Sequence, residues 1–231
     1  MAPFPVVFAL YPNVTQLDFT APAEVFSRLP GAELVLASAS GGSLTASGGI
    51  VFANVVPLSQ VTECALLCVP GGFGCAAVME DPAYLTELRR LAAMAVYVTS
   101  VCTGSLVLGA AGLLRGRRAA CHWAFRELLP HFGAIADPAR VVRDGNLFSG
   151  GGVTAGIDMA LTVMAEIAGA DFAQAVQLGI EYAPQPPFAA GRPEEARAPV
   201  LAAARGRLGA LWPDRLATAL RAAAALNAAG A

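Results

Sequence analysis

Along most of the chain, short runs of apolar and often β-branched residues alternate with longer stretches whose apolar positions recur every three or four residues. That alternation is the sequence form of a parallel sheet covered by helices on both faces. Pro5-Val6-Val7-Phe8-Ala9-Leu10 contains no polar position and predicts a first strand buried on both sides. A helix is expected over about 22–28, with Pro22 in its first turn and Pro30-Gly31 ending it. A second strand is expected over 33–39. Gly41-Gly42-Ser43 and Ser47-Gly48-Gly49 then punctuate two small strands that read as an antiparallel excursion.

Ala65-Leu66-Leu67-Cys68-Val69 predicts another buried strand, stopped by Pro70-Gly71-Gly72. Asp81-Pro82 supplies an N-cap and first position for a helix to about Ala93, with Leu85, Leu88 and Leu91 on one face. The strand pattern over 95–101 runs without a loop into Cys102, and Thr103-Gly104-Ser105 opens a helix that Gly112 ends. Cys102 therefore sits on a strand-to-helix corner, the geometry of a nucleophile elbow. Asp144-Gly145-Asn146 between Val141-Val142-Arg143 and Leu147-Phe148-Ser149 is a hairpin signal, and Gly150-Gly151-Gly152 leads into a helix over 154–168. A Pro-rich loop around Tyr182 separates later helices. From Glu194 onward an amphipathic helix is expected, anchored by Leu208, Leu211, Leu216 and Leu220.

The 231 residues are 56% hydrophobic and 14% charged, with a formal net charge of -2. At that mass a folded surface of roughly 9,800 Å² is expected, so a full core is available and disorder is excluded. Of the 15 basic residues none is Lys, and they form no block, which disfavours nucleic acid or a polybasic membrane surface as partner. No apolar run reaches the ~18 residues a membrane span needs. The start, Met1-Ala2-Pro3-Phe4-Pro5, carries no basic segment, so no secretory leader is expected. Five cysteines with no leader point to free thiols in a reducing cytoplasm.

At a helix N-terminus, unpaired amides and the helix dipole favour thiolate over thiol, which makes Cys102 the candidate nucleophile. A buried cysteine packed as a small hydrophobe is the plain alternative. Gly71-Gly72 follows a strand end, and the Gly72 amide beside that of Thr103 is expected to form an oxyanion-type pocket; a tight turn needing positive φ is compatible with this. Asp18, in Gln16-Leu17-Asp18-Phe19-Thr20, is either a helix cap or a carboxyl that reaches Cys102. Two histidines exist. His122, after the strand that follows the Cys102 helix, is placed toward the crevice, whereas His131 beside Pro130 is not. A zinc site from Cys64, Cys68, Cys121 and His122 is disfavoured, because it would need Cys-x3-Cys on one buried strand. The glycine runs match no nucleotide-binding spacing, and no Lys is present to meet a phosphate.

Val98-Thr99-Ser100-Val101-Cys102-Thr103-Gly104-Ser105, then Leu108-Gly109-Ala110-Ala111-Gly112-Leu113-Leu114 and Cys121-His122-Trp123, resemble the ThiJ/PfpI superfamily, which shares a fold with class I glutamine amidotransferases. The resemblance runs from the first strand to about Phe188. Through Gln16-Leu17-Asp18, Val141 to Asn146, Gly150 to Asp158 and Glu181 to Phe188 the chain is similar to the isocyanide hydratase branch. The implied fold is α/β, a flavodoxin-like doubly wound, mostly parallel sheet over 1–190, followed by a C-terminal helical extension over 191–231. The implied chemistry hydrates an isocyanide substrate to an N-substituted formamide without metal or organic cofactor, with Cys102 as nucleophile, Asp18 relaying protons, and the Gly72 and Thr103 amides orienting the reacting groups. His122, Gly151 and Tyr182 are expected to line the site. A homodimer is implied, with its interface near Cys102; the three glycines at 150–152 are permissive in φ and read either as letting the following helix shift or as a plain tight turn. A thiol sensor or chaperone, a glyoxal-handling protein and a truncated transcription regulator are the rival readings. Thr103 occupies the slot where protease-like members carry His, and the segment around Cys75 and the tail past Gly191 match no known motif.

Overall fold

The computed structural model describes residues 3–229; Met1 and Ala2, part of the start read for a leader, and residues 230–231 lie outside the described residues. The first half of the chain runs β1 (Phe4–Ala9), α1 (Leu17–Phe26), β2 (Ala32–Ser38), β3 (Gly42–Thr45), β4 (Val51–Pro57) and β5 (Leu66–Val69). Then follow α2 (Cys75–Met79), α3 (Pro82–Met94), β6 (Tyr97–Val101) and α4 (Gly104–Ala110). A short parallel pair, β7 (Arg118–Ala119) and β8 (Ile135–Ala136), leads to the hairpin β9 (Val141–Asp144) and β10 (Leu147–Gly150). The remainder is helical: α5 (Ala155–Ala168), α6 (Ala170–Gly179), α7 (Ala198–Gly209) and α8 (Trp212–Ala229).

Among the described residues the main sheet has eight strands in the order β3-β4-β2-β1-β5-β6-β10-β9. The six inner strands run parallel, and β3 and β9 close the edges antiparallel. This is the doubly wound α/β sheet that the alternating pattern predicts. Val6, Val7, Phe8, Ala9 and Leu10 are fully buried, as an all-apolar central strand between two helical layers must be. The order reverses between β1 and β5, so the loops after those strands part there and leave a crevice at the carboxyl edge of the sheet.

Two helices depart from the sequence reading. α1 begins at Leu17 rather than near Pro22, and Pro22 lies inside it. Tertiary packing tolerates that proline, whose ring lies against α5, where a Cβ on Gly156 would come within 3.1 Å of Pro22 Cδ. The consequence is that Asp18 falls in the first turn of a helix, not ahead of one. In the tail, Leu220 is exposed, and α8 is seated by Arg215, Thr218, Ala219, Ala222 and Ala223 instead. Small side chains let α8 approach α2 and the 3-10 segment Arg126–Phe132 closely, so the tail shares the core of the domain. Among the described residues no helix is long and apolar enough to cross a membrane.

Candidate active site

β6 is buried from Val98 to Val101 and passes straight into Cys102, which takes φ 59°. A left-handed conformation costs a non-glycine residue about 1–2 kcal/mol, so the surroundings must impose it. They do so from two sides. The Cys102 amide donates to Gly150 O at 2.9 Å, and Gly104 passes so near β5 that a Cβ there would lie 2.0 Å from Val69 O. Beneath the corner the buried Ser100 and Ser105 hydroxyls lie 2.9 Å apart. Ser105 Oγ donates to Ala120 O at 2.5 Å, and the Ala120 amide donates to Ser149 Oγ at 2.8 Å. This chain of hydroxyls ties β6, α4 and β10 to the segment that carries Cys121 and His122.

Asp18 arrives from the first turn of α1. It caps nothing: its Oδ2 accepts the Gly71 amide at 2.9 Å, and its Oδ1 is buried without a partner. Backbone bonds hold the two loops together, with the Thr15 amide donating to Gly71 O at 2.9 Å, and Tyr11 Oη donates to Pro70 O at 2.7 Å from below. Gly71 is obligatory for this approach, since a Cβ would lie 2.4 Å from Thr103 N and 2.8 Å from Asp18 Oδ2. The Gly72 amide is spent otherwise: it donates to Thr103 Oγ1 at 3.0 Å, so it is not the free donor the sequence suggests. The amides that reach the reactive pair are those of Gly71, on Asp18, and Thr103, on the Cys102 sulfur.

Burial raises the Asp18 carboxyl from its ordinary 3.8 to about 7, against the pull of the Gly71 amide and of the neighbouring Cys102 thiol. The same burial, followed by the charge of Asp18, pushes the Cys102 thiol well above its usual range, opposed by the Thr103 amide. This reverses the expected direction for Cys102. The seven-residue α4 offers a helix end, but a carboxylate facing a 6% exposed thiol outweighs it. The resting pair above neutrality is therefore carboxylate and thiol, with one proton shared between them.

A cavity of about 310 Å³ opens over Cys102, lined by Gly72, Thr103, His122, Thr15 and Ser47, with Phe73, Phe125, Val153, Leu208, Leu211 and Arg215 forming the rest of the wall. His122 is on that wall. Its Nδ1 accepts the Ala124 amide at 3.3 Å, and burial lowers its pKa, so the ring is neutral. Gly151 lines a separate cleft with Arg126 and Arg140, and its amide donates to Arg140 O at 2.8 Å. None of Gly150, Gly151 and Gly152 has a positive φ, so the backbone freedom expected of the run is unused. Tyr182 is not on the cavity; its Oη donates to Asp158 Oδ2 at 3.0 Å, beside the Arg140–Asp158 ion pair. Cys64, Cys68, Cys121 and His122 do not converge on one point, and no cluster among the described residues is arranged to hold a metal.

Sequence reasoning named the Gly71-Gly72 turn but gave the donor role to Gly72, and it missed the serine hydroxyls and the place of the tail residues on the wall. Polar Ser100, beside Thr99 in β6, and Ser149 in β10 were a readable signal in buried strands. Arg215 left none, because its position depends on how α8 folds back.

Comparison with known proteins follows the same outline. The model of the DJ-1/PfpI family matches residues 5–166, a span that contains Asp18, Gly71 and Cys102. The chain is 50% identical over 223 residues to isonitrile hydratase of Pseudomonas putida, covering 95% of this chain and 96% of that protein. A crystal structure of a ThiJ/PfpI family protein from Pseudomonas syringae matches with a TM-score of 0.91 at 37% identity, over 95% of this chain and 91% of the other. HTH-type transcriptional regulator GlxA of Rhizobium meliloti is 30% identical over 173 residues, 73% of this chain and 53% of that protein.

Proposed function

The chain belongs to the DJ-1/PfpI family, and from that premise we propose that it is an isocyanide (isonitrile) hydratase that turns R–N≡C and water into R–NH–CHO through a thioimidate on Cys102. The observation that carries the reading is the Asp18–Cys102 pair: a carboxyl raised to about 7 with one oxygen unpartnered, beside a thiol at the floor of a largely apolar cavity. The 50% identity to a named isonitrile hydratase over nearly the whole of both chains supports it.

The reaction needs a nucleophile and a group that moves one proton several times. As Cys102 Sγ attacks the terminal carbon, Asp18 takes the thiol proton and gives it to that carbon, yielding R–N=CH–S–Cys102. Water then adds to the same carbon; Asp18 takes a water proton and passes it to nitrogen. On collapse the C–S bond breaks, the hydroxyl proton passes through Asp18 to the leaving sulfur, and thiol and carboxylate are restored. The Thr103 amide steadies negative charge on sulfur at departure, and the Gly71 amide fixes the carboxyl. No electrons enter or leave the sum, so no redox cofactor takes part. The substrate is a small isocyanide, and five cysteines held as thiols suit a reducing cytoplasm. The active form is a homodimer: Leu178 and Phe188, 81% and 78% exposed, offer apolar contact on the arm beyond α5.

Purified protein mixed with cyclohexyl isocyanide is expected to release N-cyclohexylformamide, read by chromatography, and Cys102→Ala to release none. Isocyanide recovered unchanged from the parent protein would refute the assignment.

A further inference from the structure

Arg215 lies in the first turns of α8, yet it is 5% exposed. Its Nη1 donates to Cys75 Sγ, its Nη2 donates to Phe73 O at 3.3 Å, and its Cζ stands 5.4 Å over the Phe125 ring. Seven other arginines have a carboxylate within 2.5–3.7 Å; among the described residues Arg215 has none. Cys75 is no substitute, because burial keeps its thiol above the ordinary value even beside the guanidinium. A buried cation without a counter-ion is costly, and a carbonyl and an aromatic face return only part of that cost. Arg215 is on the wall of the Cys102 cavity together with Phe73 and Phe125, the two residues its guanidinium touches there, and none of the lining residues is acidic.

We propose that Arg215 determines specificity, by binding a carboxylate on the far end of the substrate, so that the preferred class is isocyanides carrying a carboxylate. The planar fork of a guanidinium matches the two oxygens of that group. Cys102 and Thr103 receive the isocyano end, Phe73, Phe125, Leu208 and Leu211 enclose an apolar middle, and Arg215 takes the charge. This assignment rests on the hydratase reading for its isocyanide but not for its carboxylate.

Two measurements separate those layers. The first is the ratio of kcat/KM for 4-isocyanobenzoate to that for phenyl isocyanide. It should fall tenfold or more in Arg215→Met, chiefly through KM, and recover in part in Arg215→Lys. An equal loss on both substrates would reduce Arg215 to a strut for α8. The second uses the parent protein alone: benzoate should protect Cys102 from iodoacetamide at a concentration at least tenfold lower than benzamide does. Benzoate protection without turnover of any isocyanide would leave the carboxylate site standing and overturn the hydratase reading. Turnover with equal protection by benzoate and benzamide would overturn the carboxylate site.

Discussion

Asp18 Oδ1 meets no partner inside the protein, although it is fully buried. Such an atom costs stability while it stays charged, and that cost is what raises the carboxyl's affinity for a proton. Asp18→Asn keeps an acceptor for the Gly71 amide but cannot shuttle a proton, so turnover should fall by ~10²-fold or more while the fold survives. Parent kcat/KM should rise with pH through about 7 as Asp18 ionises. Stability should run the other way. The folded carboxyl titrates near 7 and the unfolded one near ~3.9, so the stabilisation is fully present below pH ~4 and is lost as pH rises through about 7, a difference of at most roughly 4 kcal/mol. Melting temperatures of Asp18→Asn and parent should therefore diverge from pH 5 to pH 8 in favour of the variant; a constant gap would mean that the carboxyl is not raised. Cys102 was legible from its strand-to-helix corner. Its raised pKa was not, because the burial that chiefly raises it, and the carboxylate 84 positions earlier in the chain that adds to it, are both products of the fold.

At the level of elements, the strands were readable because period and punctuation agree: β1 is uniformly apolar, Asp81 caps α3 through the Ala83 and Tyr84 amides, and Asp144-Gly145 turns β9 into β10. The start of α1 was not readable, since Pro22 is a strong local signal for a first turn and packing on α5 overrides it. The leucines of α8 misled for a related reason: alanines seat the helix because the surface beneath is close, and Leu220 is left in solvent. Glycine substitutions test the elbow itself. Gly104→Ala would drive a Cβ to within 2.0 Å of Val69 O and should displace the start of α4, costing several kcal/mol and all measurable turnover. Gly152→Ala meets nothing within 4 Å and should melt within about 0.5 kcal/mol of the parent. Equal effects from the two would contradict the close approach of α4 to β5.

For the whole molecule, the surface of 10791 Å² exceeds the roughly 9,800 Å² expected for its mass, and the long exposed run from Ala183 into α7 is its most open part. Sedimentation should give twice the 23.5 kDa chain mass, and a monomer at micromolar concentration would refute the dimer. The tail was foreseen as an extension beyond 190, yet Leu208, Leu211 and Arg215 wall the cavity and Ala219 is fully buried. A chain ending at 197 should lose its cooperative melt near the parent temperature and its turnover together. One sulfur carries the substrate through the reaction, so a rapid-quench single turnover with excess protein, followed by peptide mass spectrometry, should catch it loaded. A transient gain on the Cys102 peptide equal to the full mass of the isocyanide is expected, decaying as formamide appears. Formamide formed with no adduct on that peptide, or with the adduct on another cysteine, would contradict it.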